Sequence, residues 1–150
     1  MKILKDLQIA EVKMSYHPKI DLKTAPQIIG STFAAQCFAE TWEDLEYIER
    51  FKIMLLNRAN RVKGIITISI GGTAGCVVDV KVVLQAALLS NSHGIIIAHN
   101  HPSGNLNPSD ADIKITRAIK EACKFQDIGL LDHLIITSGG SYSFADEGLL

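Results

Sequence analysis

The sequence predicts an α/β domain in which one mixed β-sheet is flanked by helices. Strands at hairpin spacing, such as "RFKIMLLN" followed by "VKGIITISI", alternate with segments of helical periodicity. A short apolar run, Ile95-Ile96-Ile97-Ala98, has the form of a strand buried on both faces. The 150 residues suffice for one domain with a real core. A hydrophobic share of 47% beside 21% charged residues is that of a globular chain, not a disordered one.

Each element has its own local signal. "QIAEVKMSY", residues 8–16, alternates as a strand does. "DLKTAPQIIGSTFAAQCFAE", residues 21–40, reads as a helix with Thr24 as its cap and Pro26 in its first turn. Residues 50–57 and 62–70 read as adjacent strands joined by the polar "RAN" turn. In "VDVKVVLQAALLSN" the residues Val80, Val83, Leu84, Ala87 and Leu88 share a helical face, and Asp79 is placed to cap it. Gly94 opens the strand at 95–99. Ile115, Ala118, Ile119 and Ala122 then recur at helical spacing to about residue 125. "GLLDHLIIT" is a further strand, which "SGGS" turns back into "YSF". The expected order is β-α-β-β-α-β-α-β-β.

Composition narrows the function classes. A formal charge of −1 supplies no electrostatic footprint for a stand-alone nucleic-acid binder. Cys37, Cys76 and Cys123 lie far apart without a C-x-x-C pair, which points to small buried thiols in a reducing compartment. No apolar run matches a signal peptide or a membrane span, so a cytoplasmic protein without membrane association is expected. "GGTAG" at 71–75 lacks the lysine and the strand-to-helix register of a phosphate loop and reads as a connector. His17 and His93 stand beside turn signals and receive no role.

The chemistry concentrates at "IIIAHNHPSGNLNPSDADI", residues 95–113. Residues i and i+2 of a strand point to the same side, so His99 and His101 present two imidazoles to one point where the strand opens to solvent. Imidazole nitrogen suits zinc, copper, iron or nickel, and a catalytic zinc commonly takes three protein ligands. Asp112 is the natural third. Ser109 caps the next helix, which puts Asp112 at its N3 position, where a carboxylate is favoured. Pro102, Gly104 and Pro108 suit the tight return of chain between the two halves.

His99-x-His101-x(7)-Ser109-x-x-Asp112 resembles the JAMM (JAB/MPN) metalloprotease motif at every position. The wider text "HNHPSG…PS..D", with "LLDHLII" after it, is similar to the bacterial RadC-like branch in particular, over roughly residues 49–144. The resemblance implies a single domain with the cytidine-deaminase-like JAB/MPN sandwich. It implies one Zn2+ per chain on His99, His101 and Asp112, and a serine, here Ser109, that contacts the substrate carbonyl or its oxyanion. It also implies an upstream glutamate that handles the hydrolytic water. RadC-like proteins place that glutamate as E-x-F before a strand, which Glu49-Arg50-Phe51 matches; Glu46 is the next candidate. The pattern carries Asp132-His133 as well, for which a hydrogen bond behind a ligand, or orientation of the strand, is the fitting role. Asn57 stands where relatives commonly have aspartate, and Lys81 where many have arginine.

The implied activity is zinc-dependent hydrolysis of a peptide or isopeptide bond. The alternative is a RadC-like factor associated with DNA repair, acting on nucleic acid or as a scaffold, here without the helix-hairpin-helix region of longer relatives. The letters "HNH" do not make an HNH nuclease, whose three residues are spread over a longer motif. An amidohydrolase barrel also begins with H-x-H but needs about 250 residues.

Overall fold

A computed structural model describes residues 9–72 and 75–150. Its elements are α1 (Ser31–Ala39), β1 (Arg50–Leu56), β2 (Val62–Ile70), α2 (Val80–Leu89), β3 (Gly94–Asn100), α3 (Asp110–Lys124), β4 (Gly129–Thr137) and β5 (Gly140–Ser143). The five strands form one mixed sheet in the order β2-β1-β3-β4-β5. β1 runs antiparallel to β2 and β3, β3 and β4 are parallel with α3 as their crossover, and β5 returns antiparallel to β4.

Strand alternation divides the core into two layers. Met54, Leu56, Ile96, Ala98, Leu134 and Ile136 face α1, where Ala34, Ala35 and Phe38, with Trp42 just after the helix, meet them. Phe51, Ile53, Leu55, Ile95 and Ile97 face the other way, onto Val83 and Ala87 of α2 and Ile119 and Cys123 of α3. β3 is buried along its whole length, as its unbroken apolar run requires. The Asp79 carboxylate caps α2 by accepting from the Lys81 N–H at 2.8 Å. The helical faces are narrower than the periodicity implies, since Leu88 and Ala118 face solvent.

Two expectations need correction. Residues 9–16 join no strand: Val12 and Met14 are both 85% exposed, and the alternation finds no sheet to cover; residue 8 lies outside the described residues. The helix expected over 21–40 begins only at Ser31. Pro26 and Ile28 are instead tied to the β1–β2 hairpin, through Val62 N–H to Pro26 O at 2.9 Å and Ile28 N–H to Asn60 O at 2.8 Å. Gln27 pairs with Arg61 between them. Thr24 closes a turn on the Asp21 carbonyl rather than capping a helix. Within "GGTAG", Gly72 and Gly75 bridge each other, and Thr73 and Ala74 lie outside the described residues. No helix among the described residues is long and apolar enough to cross a membrane.

The cysteines are free, with Cys123 buried and Cys37 and Cys76 half-buried. Burial pushes the Cys123 thiol up to about 11, from an ordinary 9.0. A thiol that ionises later when folded adds stability below pH 9, and that stability is lost as pH rises from about 9 to 11. A thiol reagent at pH 8 is therefore expected to modify Cys37 and Cys76 in the folded protein and Cys123 only on unfolding, as peptide mapping reads out. Equal labelling of Cys123 in native and denatured protein would contradict this packing.

Candidate metal centre

The site lies where β3 leaves the sheet, on the side of α2 and α3. His99 follows Ile95 and Ile97 on that face and is buried, with its ring stacked on Phe51 (6.3 Å between centroids, 13° between planes). His101, two residues on, is half-buried. Its Nδ1 lies 2.6 Å from the Asn105 carbonyl oxygen, so this nitrogen is the one that carries the hydrogen. The return of chain depends on Gly104, whose φ of +80° is strained for other residues, and whose N–H donates to the His101 carbonyl at 3.0 Å.

The loop delivers the start of α3. Ser109 Oγ accepts from the Asp112 N–H at 3.1 Å, and the Ser109 N–H donates to Asp112 Oδ2 at 2.7 Å, a reciprocal capping box. The same carboxylate faces the histidines, with Oδ1 3.1 Å from His99 Nε2 and Oδ2 3.4 Å from His101 Nε2. The two Nε2 atoms are 2.9 Å apart. One ligand atom from each of His99, His101 and Asp112 thus lies within 4.8 Å of the others. Burial works to raise the Asp112 pKa, but the His101 and His99 imidazoles beside it outweigh burial and hold the carboxyl well below the usual range. Two imidazole nitrogens and a carboxylate aimed at one point form an electron-rich donor set that fits a small divalent cation such as zinc.

Glu49 immediately precedes β1. In the β1–β3 register Phe51 is opposite His99, so the next positions outward on the same face are Glu49 and His101. Both line a cavity of about 840 Å³ together with His99, Ser109 and Asp112. Burial pushes the Glu49 carboxyl above its ordinary value, against the opposite pull of His99 and His101. Glu46 is turned elsewhere, where its carboxylate accepts from Ser138 Oγ at 2.7 Å. Asn57 serves the β1–β2 turn, accepting from the Ala59 and Arg61 N–H groups at the far end of β1.

Behind the cavity, His99 Nδ1 lies 2.8 Å from His133 Nε2, and His133 Nδ1 lies 2.6 Å from Thr116 Oγ1. Burial holds the His133 imidazole well below its ordinary pKa, with His99 acting in the same direction. Its neighbour Asp132 serves the fold, accepting from Ser143 Oγ at 2.6 Å and the Ala145 N–H at 3.0 Å. Two supporting residues escaped the sequence reading. One is Thr116, four residues after Asp112 and so on the same helical face, a polar residue outside the apolar periodicity of that helix. The other is Asn100, between the two histidines and pointing to the opposite side of β3.

Asn100 fixes the segment that carries Glu49. Its Oδ1 accepts from the Arg50 N–H at 2.7 Å, and its Nδ2 donates to the Leu45 and Ile48 carbonyls at 2.9 and 3.0 Å. Asn100→Leu keeps the branched outline of the side chain and removes all three bonds, and urea denaturation is expected to show a loss of about 3 kcal/mol, at about 1 kcal/mol per bond. A loss under about 0.5 kcal/mol would contradict this role.

Comparison with known proteins agrees with the geometry. The RadC-like JAB domain family matches residues 29–149. A UPF0758 protein of Flavobacterium johnsoniae is 48% identical over 101 residues, covering 67% of this chain and 44% of that protein. One from Porphyromonas gingivalis is 35% identical over 134 residues (89% of this chain, 59% of the relative). One from Salinibacter ruber is 42% identical over 124 residues (83% and 53%). The chain spans about half the length of these curated relatives. With the match running from before α1 to past β5, and the His-His-Asp group at the end of β3 inside it, the chain belongs to the RadC-like JAB domain family.

Proposed function

We propose that this domain is a zinc-dependent amide hydrolase of the metallopeptidase or isopeptidase type. The observation that carries the reading is the convergence of the His99-His101-Asp112 group and Glu49 on one open cavity. His99, His101 and Asp112 would hold the ion. Zinc bound there would supply a Lewis acid, acidifying a water molecule and polarising the scissile carbonyl.

The remaining work falls to the chain's own groups. Glu49 is the general base: its carboxyl is half-buried and raised by that burial, which makes it a better proton acceptor than an exposed glutamate. It takes the proton of the attacking water and passes it to the leaving amine. Ser109 uses an oxygen lone pair to cap α3, which leaves its hydroxyl hydrogen to stabilise the oxyanion that develops as water adds. The capping contact also keeps that hydroxyl in place, so one residue serves both tasks. A peptide or isopeptide is the substrate class this reading takes. The nucleic-acid alternative has no comparable support, with a formal charge of −1.

Hydrolysis of a quenched peptide library by the zinc-loaded protein tests the proposal. Chelation is expected to abolish turnover. Glu49→Gln is expected to keep the zinc and lose about 10²- to 10⁴-fold in rate, the range for removing a general base. Full turnover in Glu49→Gln would place the base elsewhere, and turnover that survives complete zinc removal would contradict the metal reading.

A further inference from the structure

We propose that Thr116, acting through His133, is a positioning residue that decides which nitrogen of His99 is bare and faces the metal. The inference rests on the metal reading above and extends it to two side chains that touch neither ion nor substrate. It follows from the direction in which hydrogens must run along four groups in series. The Asp112 main-chain carbonyl can only accept, and Thr116 Oγ1 lies 2.5 Å from it, so the threonine hydroxyl donates its single hydrogen there. Towards His133 Nδ1, 2.6 Å away, Thr116 is left with lone pairs and therefore accepts. His133 Nδ1 carries the hydrogen.

His133 is buried, stacked on Phe144 at 4.5 Å between centroids, with no carboxylate on either ring nitrogen. A neutral imidazole has one N–H, so its Nε2 is bare and must accept from His99 Nδ1, 2.8 Å away. That puts the hydrogen of His99 on Nδ1 and leaves the Nε2 lone pair aimed at Asp112 and His101. The sequence closes on itself, because Asp112 supplies both the carbonyl at one end and the ligand carboxylate at the other. β3, β4 and α3 are joined by this ring of contacts. On His101 a single main-chain carbonyl, that of Asn105, does the equivalent work.

The hydroxyl is the component that sets direction, and it can be removed with little change of shape. In Thr116→Val the His133 Nδ1 loses its acceptor. The hydrogen is then free to move to Nε2, which forces His99 Nδ1 bare and puts a hydrogen where the ion should bind. Thr116→Ser keeps the hydroxyl. Competition for zinc against a chromophoric chelator is expected to show about a 10- to 100-fold weaker affinity for Thr116→Val, the usual range when the partner behind a metal-ligating histidine is lost. Thr116→Ser is expected to match the wild type. Histidine 15N shifts of the metal-free proteins provide the second readout: His133 protonated on Nδ1 in the wild type and Thr116→Ser, and on Nε2 to a substantial degree in Thr116→Val.

The proposal is overturned if wild-type His133 carries its hydrogen on Nε2, or if Thr116→Val binds zinc as the wild type does. It is also overturned if valine and serine weaken binding equally, which would make the effect one of packing. A wild-type protein that binds no zinc would instead remove the metal reading, and the His133 shifts would still decide the direction of the hydrogen bonds.

Discussion

Everything at the site depends on β3 being buried on both faces and then having to end. Seven residues from Gly94 to Asn100 lie in the middle of the sheet, paired antiparallel with β1 and parallel with β4. The last two, and His101 after them, are polar side chains arriving at the edge of a packed interior. An unpaired polar group there costs about 1–3 kcal/mol, so each must find a partner. The partners they find are the parts of the site. His99 meets His133 and Asp112, Asn100 holds the segment before β1, and His101 is fixed by the loop that leads into α3.

The same economy holds at the start of α3. A helix beginning needs acceptors for its free N–H groups, and Ser109 with Asp112 supplies them. Turning the same Asp112 carboxylate towards two imidazoles makes one residue both a structural cap and a ligand candidate. The arrangement concentrates lone pairs on His99, His101 and Asp112 beyond what hydrogen bonds among them can satisfy. A bound cation would relieve that directly and would couple metal binding to the stability of the β3–α3 junction.

Where the sequence was readable, the signals were local. The spans of β2 and β4 coincide with the expected 62–70 and 129–137 because turn residues bound them on both sides. His-x-His and Ser-x-x-Asp are likewise legible, since strand and helix periodicity fix which side chains share a face. The start of α1 was not, because Pro26 and Ile28 answer to a hairpin thirty-odd residues away. The alternation at 8–16 was a pattern without a sheet. Glu49 could be singled out among neighbouring acids only by resemblance, and its place in the cavity follows from the β1–β3 register. Asn100 acts through tertiary contacts alone, which no spacing announces, and Thr116 shares a helical face with Asp112 but owes its part to His133 on another strand.

Metal content tests the central claim most directly. Elemental analysis of protein purified from metal-replete medium should find one zinc per chain in the wild type. It should find little or none in His99→Ala or in Asp112→Asn, the latter keeping an oxygen acceptor for the helix cap. A folded wild-type protein without stoichiometric metal, or variants that retain it in full, would contradict the account.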